Sequence, residues 1–209
     1  MTDIRKPLTT TLLLIAAVSG MDAAERIVAV ETVRPAIVLY RDVTGSYSQH
    51  PVVFKEMMYY VGKTYRVVGD CFGVYPRDPD AVPPAQLKWQ VGVRIMPGQP
   101  LGFGNRLPLA ASPDSSISEL RDVLKRVKLP APPYKLKILD GGEAAVLSST
   151  VENAAVDGLS MFQWMADNGY VQMGPTRMEY LSHEESSMRI PVRIVLPVQK
   201  RPSGLKSSK

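Results

Sequence analysis

Strict alternation of apolar and polar residues runs from Leu87 to Met96. Leu87, Trp89, Val91, Val93 and Ile95 fall on one side, with Lys88, Gln90, Gly92 and Arg94 on the other. A period of two is that of a strand with one covered face. The alternation returns at 188–196, where Met188, Ile190, Val192, Ile194 and Leu196 oppose Arg189, Pro191, Arg193 and Val195. Upstream of each strand the period lengthens to that of a helix. Val53, Phe54, Met57, Met58 and Val61 share a face of a helix predicted over 51–63. Ala155, Leu159, Phe162 and Met165 do the same over 153–168, with Gly169 placed for a left-handed cap. Shorter apolar runs predict strands over 27–33, 36–41 and 68–75, and again over 134–139, 144–150 and 172–181.

The order is thus strand, strand, helix, strand, strand, and then the same again. AIVLY at 36–40 lies against AAVLS at 144–148, and the same offset sets Phe54 on Phe162 and Met57 on Met165. After the helix the offset shortens, matching Gly69 to Gly174 and Tyr75 to Tyr180. The pattern predicts an α+β fold: duplicated strand-helix-strand-strand units forming one continuous antiparallel sheet, with two helices on one face. Repeat one covers 27–97 and repeat two 134–198. Between them a turn-rich linker leads into a short helix, opened by a capping box from Ser116 to Glu119, with Leu120, Leu124 and Val127 on one side. The groove between the repeats is the expected small-molecule site.

Composition narrows the function classes. No apolar run reaches the roughly 20 residues of a spanning helix, so no stable membrane span is expected. A single cysteine, Cys71, beside Phe72, reads as buried and inert, and His50 and His183 read as solvated, leaving no metal site. Glycine-rich phosphate loops and HExxH or GxSxG motifs do not occur, so no catalytic constellation and no cofactor is expected. The chain carries 25 Lys and Arg against 20 Asp and Glu. Lys200, Arg201, Lys206 and Lys209 hold most of that excess in a tail, 199–209, expected to be disordered. The body is close to neutral, which argues against direct nucleic-acid binding. At the other end, Arg5 and Lys6 precede an apolar segment from Leu8 to Val18 and then small residues. That layout predicts a secretory leader over 1–24 and export to a periplasmic or extracellular space. A start at Met21, or an uncleaved anchor, is the alternative.

Two segments resemble a known family. TGSYSQHPVVFKEMM at 44–58 and FGVYPRDPDAVPPAQLKWQVGV at 72–93 are similar to the helix entry and the central hairpin of GyrI-like small-molecule-binding domains. With LPAPPYKL at 129–136, the resemblance is nearest to the GyrI-like domain of a testis-expressed autophagy receptor and its bacterial relatives, over about 27–198. It implies a SOUL-like duplicated fold holding an effector in the cleft between repeats, as in the effector-binding parts of some transcription regulators. Members that grip cationic drugs, and relatives proposed as hydrolases, carry a carboxylate in that cleft on the last strand. Here 187–196 has no acid and carries Arg189 and Arg193 instead. The expected ligand is therefore a small hydrophobic or amphipathic molecule, neutral or anionic rather than cationic.

The candidate ligand-binding residues are Tyr40, Tyr47, Tyr75, Trp89, Glu179 and Arg193. Tyr47 could stack on a ligand or anchor the helix start on the sheet, whereas for Tyr40, Tyr75 and Trp89 core packing comes before pocket lining. Glu179 is the acid nearest the expected cleft, or else an exposed strand residue paired with Arg177 or Arg193. The function expected is non-catalytic binding of a small molecule. A hydrolase of the same fold, using Glu179 with Tyr40 or Tyr47, and a protein-interaction module are the alternatives.

Overall fold

The structure, a computed structural model, describes residues 27–76, 82–96, 115–127, 129–181 and 189–202. Its strands are β1 (Ala29–Val33), β2 (Ala36–Thr44), β3 (Arg66–Val74), β4 (Lys88–Met96), β5 (Tyr134–Leu139), β6 (Gly142–Thr150), β7 (Tyr170–Gln172), β8 (Arg177–Tyr180) and β9 (Pro191–Lys200). The helices are α1 (His50–Thr64), α2 (Ile117–Arg126) and α3 (Ala154–Asp167). The strands form one antiparallel sheet in the order β1-β6-β9-β8-β3-β4-β2-β5, with β7 paired to the end of β9. Exchanging β1 with β5, β2 with β6, β3 with β8 and β4 with β9 reads that order backwards. The β3–β8 pair is its centre.

Directly opposed residues of an antiparallel pair share a face. Cys71, Trp89, Val91, Val93 and Ile95 thereby meet Val53, Met57 and Val61 of α1 and Leu120 and Val123 of α2 in one core. Ala145, Leu147, Val192, Ile194, Leu196 and Val198 meet Ala154, Met161 and Met165 of α3 in a second. Full burial of side chains such as Met57 and Val61 contributes about 1.5–3 kcal/mol each. Three helices therefore lie on one face. α2, opened by the expected Ser116–Glu119 capping box, covers β2 and β5 at the sheet edge.

Three details depart from the sequence pattern. The strand expected over 172–181 is broken at Gly174 and Pro175, because proline cannot donate to the ladder. β9 starts at Pro191 and continues through Val198 to Lys200, which pairs with Tyr170, so the tail begins later than 199. Met188 and 203–209 lie outside the described residues. In α3 the buried positions are Ala154, Asp157, Met161 and Met165, while Leu159 and Phe162 of the expected face are exposed, Phe162 at 41%. The buried Asp157 accepts a hydrogen bond from the Ser149 hydroxyl of β6. A charged residue on the inner face hid its period.

The second face of the sheet is not simply polar. Val38, Phe72 and Val74 form one buried cluster there, and Ala144, Val146 and Val195 another. Gly92 makes room for the first, since a Cβ at that position would lie 2.3 Å from Phe72 Cζ.

Candidate functional site

α1 lies over β3 and β4, and α3 lies over β6, β7 and β9. The strip between the helices is the β3–β8 pair, whose helix-side residues are Cys71, Gly73, Met178 and Tyr180. An aromatic cluster gathers at one end of this strip, and local chemistry of the chain places each ring.

The turn after β2 needs Gly45, whose φ of +122° is open to glycine and costly for other residues. Its N–H donates to the Leu87 carbonyl and its carbonyl accepts from Trp89 Nε1, both at 3.0 Å. Ser46 then caps a short turn by accepting from the Ser48 N–H, and Pro51 preorganises the first turn of α1. These contacts deliver Tyr47 and His50 onto Trp89. On β3, Gly73 leaves space for the Tyr75 phenol, for a Cβ there would lie 2.2 Å from Tyr75 Oη.

Tyr47 meets Tyr75 edge-on with ring centroids 4.9 Å apart, and Tyr75 stacks on Trp89 at 5.8 Å. The His50 ring lies 4.1 Å from Phe54, 4.6 Å from Tyr180 and 6.0 Å from Trp89. Across the centre of the sheet the Tyr75 and Tyr180 hydroxyls share a hydrogen bond of 2.8 Å. Burial pushes the Tyr180 phenol up to about 12 and that of Tyr75 well above its usual value, so both stay protonated. The same desolvation pulls the His50 imidazole down to about 4, and its Nε2 is buried without a partner among the described residues. Cys71, whose thiol donates to Met58 Sδ, is pushed up to about 12 by burial and by Asp70. It is buried, as expected, and its thiol stays protonated at neutral pH. The helix-side cluster is uncharged at neutral pH.

The opposite face carries the charge. Glu179 is 2% exposed and stands across from Phe72 on β3 and Arg193 on β9. Its Oε1 accepts from Arg94 Nη2 at 2.6 Å and Arg177 Nε at 3.0 Å, and Arg193 Nη1 lies 3.7 Å from Oε2. Arg193 also donates to Glu31 of β1. Tyr40, on the same face, lies under the Lys137 ammonium, 4.4 Å from its ring centroid. Gln90 bridges the neighbouring Asp42 and Lys137, at 2.7 Å to each.

The six residues singled out from sequence therefore fall into two groups. Tyr47, Tyr75 and Trp89 come together on the helix side. Tyr40, Glu179 and Arg193 lie on the far face, because each alternates with a helix-side neighbour on its own strand. His50, Phe54 and Tyr180 complete the helix-side cluster and were not singled out. His50 is not solvated as expected: Phe54, Tyr75, Trp89 and Tyr180 surround it. The match of Tyr180 to Tyr75 by the offset between the halves was the available signal. Among the described residues no group of three or more His, Cys, Asp or Glu is arranged to hold a metal ion.

A family model described as the GyrI-like small molecule binding domain matches residues 28–199. The chain belongs to the GyrI-like family. Small-molecule binding is the role of this domain, and its antiparallel sheet with helices agrees with the GyrI-like fold. Among solved structures, the C-terminal domain of EcmrR is similar at 13% identity and a TM-score of 0.59, over 85% of this chain and 99% of that one. EcmrR in a complex with DNA is similar at 14% identity and 0.54, over 84% of this chain. This chain spans only 58% of that one. A hydrolase encoded by lin2189 from Listeria innocua is similar at 15% identity and 0.50, over 83% of this chain and 92% of that one. Identities this low show a common fold. No curated protein sequence matches the chain. No helix among the described residues is long and apolar enough to cross a membrane.

Proposed function

We propose that this GyrI-like domain binds an uncharged, aromatic or lipophilic small molecule, without catalysis, in the trough between α1 and α3. The observation that carries this reading is the neutral aromatic end of the trough, joined by the hydroxyl pair of Tyr75 and Tyr180. The half-buried Phe54, Met58, Met178 and Tyr180 offer apolar surface beside it, and the two phenols offer a donor and an acceptor for one polar group of the ligand. Among the described residues a cationic ligand would meet no counter-charge there, since Glu179 faces the other way and three guanidinium groups hold it. The same arrangement speaks against hydrolysis: a general base needs a carboxylate within hydrogen-bond reach of a bound water and substrate. We further infer that residues 1–24 direct export, on the strength of their basic, apolar and small-residue order.

Three phenyl-substituted probes of different charge test the ligand preference: triphenylphosphine oxide, tetraphenylphosphonium and tetraphenylborate, titrated against the full chain by tryptophan fluorescence. The neutral oxide should bind at least about tenfold more tightly than the phosphonium, a difference of about 1.4 kcal/mol. Replacing Tyr180 by Phe should weaken the oxide and leave the phosphonium unchanged. Tightest binding by the phosphonium would overturn the reading.

A further inference from the structure

The two edges of the sheet are built differently. β5, at one end, carries Lys135 and Lys137, follows Pro132 and Pro133, and has α2 packed against it. Lysines and prolines at an edge hinder the addition of another strand. β1, at the other end, reads AVETV and carries neither. It pairs with β6 on its inner side, and among the described residues no strand pairs with its outer side. Ala29, Val30, Glu31 and Thr32 are all exposed, Val30 at 38%, and Ile27 just before them at 71%. An edge of this kind, with outward N–H and C=O groups and bare apolar side chains, is a template for a further strand.

The chemistry of β1 selects a second copy of itself. Two β1 strands meeting antiparallel about an axis perpendicular to the sheet keep residues of one face together. Val30, opposite Ala145, belongs to the helix side, whereas Glu31, opposite Ala144, belongs to the far face. With Glu31 on the axis two carboxylates would stand directly opposed, which is destabilising. With Val30 on the axis, Val30 meets the partner's Val30, Ile27 meets the partner's Val33, and Glu31 meets the partner's Ala29. That register covers both bare apolar side chains and leaves each Glu31 to its own Arg193. A two-fold contact needs one patch that complements itself, and β1 in this register is such a patch.

We propose that the protein forms a two-fold dimer by pairing β1 with β1 of a second copy, Val30 lying on the axis. The two sheets then run on as one. Because the axis is perpendicular to them, both ligand troughs open on the same side. β6 and β9 separate β1 from the β3–β8 seam, so the contact leaves each trough accessible.

The test uses the full chain. Sedimentation equilibrium across the micromolar range should show monomer and dimer exchanging with concentration. Val30→Lys sets two ammonium groups on the axis and should weaken the dimer at least about tenfold, with an unchanged circular dichroism spectrum. Register is read by cysteine cross-linking, since Cys71, the one cysteine of the chain, is buried. In the Val30-centred register the two Val30 side chains lie about 5 Å apart and the two Thr32 side chains about 14 Å apart. A bismaleimide of intermediate length should link Val30→Cys into dimers and leave Thr32→Cys unlinked. Should Val30→Lys fail to fold, these milder variants decide the matter. A monomer throughout, which would leave the edge to an extended segment of another protein, would overturn the proposal. So would a dimer that survives Val30→Lys, or equal linking of the two cysteine variants.

Discussion

Acidification should weaken this fold through His50 in a window that its environment defines. The imidazole is packed among Phe54, Tyr75, Trp89 and Tyr180, and burial lowers it from 6.5 to about 4. Unfolding returns it to water. Between those two values the unfolded chain binds a proton that the folded chain refuses, so stability rises with pH there. The contribution is fully present above pH 6.5, is lost progressively as pH falls towards 4, and stops changing below. At about 1.4 kcal/mol per pH unit the whole window is worth about 3 kcal/mol. The orphaned Nε2 points the same way, for protonation would add a buried N–H with no acceptor.

Other groups titrate in the same range, so the measurement is a difference of differences. Guanidinium unfolding of the unaltered chain and of His50→Gln at pH 7 and pH 4.5 isolates the one side chain. Glutamine keeps a polar end and does not titrate. The unaltered chain should lose about 2–3 kcal/mol more than His50→Gln on acidification. Equal losses would refute the burial argument, and with it the claim that the aromatic end of the trough is neutral at the pH of binding.

Gly92→Ala should destabilise by about 1–3 kcal/mol, read as a lower urea midpoint at unchanged slope, because its Cβ would meet the buried Phe72 ring. Glu179→Gln should cost about 3–5 kcal/mol in the same assay by leaving its arginines without their carboxylate. Ligand binding by the residual folded protein should stay within about twofold, a result that a catalytic or cationic-ligand role for Glu179 would contradict. Intact mass of the protein from its own host should fall short of the full chain by about twenty residues if residues 1–24 direct export. A full-length mass would remove that inference.

Much of this molecule is readable from local chemistry, because local chemistry is what makes its strands and helices. The alternation in 87–96 assigns Trp89, Val91, Val93 and Ile95 to the core, and that is where they lie. The periodicity of 51–63 gives the correct face of α1, and the Ser116–Glu119 pair marks the start of α2. The pattern misleads in α3, where Asp157 is turned inwards to Ser149 and Leu159 and Phe162 are left outside. That exchange depends on a partner strand that helical periodicity does not contain.

The site divides in the same way. A strand's alternation puts Glu179 and Tyr180 on opposite faces before any fold is known. Sequence also matches Tyr75 to Tyr180 across the two halves. It does not contain the pairing of β3 with β8, which brings those two phenols to 2.8 Å and decides which face of the seam the helices cover. It offers Arg177 or Arg193 as partners of Glu179, but not Arg94, which reaches that carboxylate from β4, 85 residues away in the chain, nor the convergence of all three. Backbone period and turn chemistry act over a few residues, and so they are written along the chain. Burial, pairing and charge balance act across the sheet, and only the assembled tertiary structure sets them.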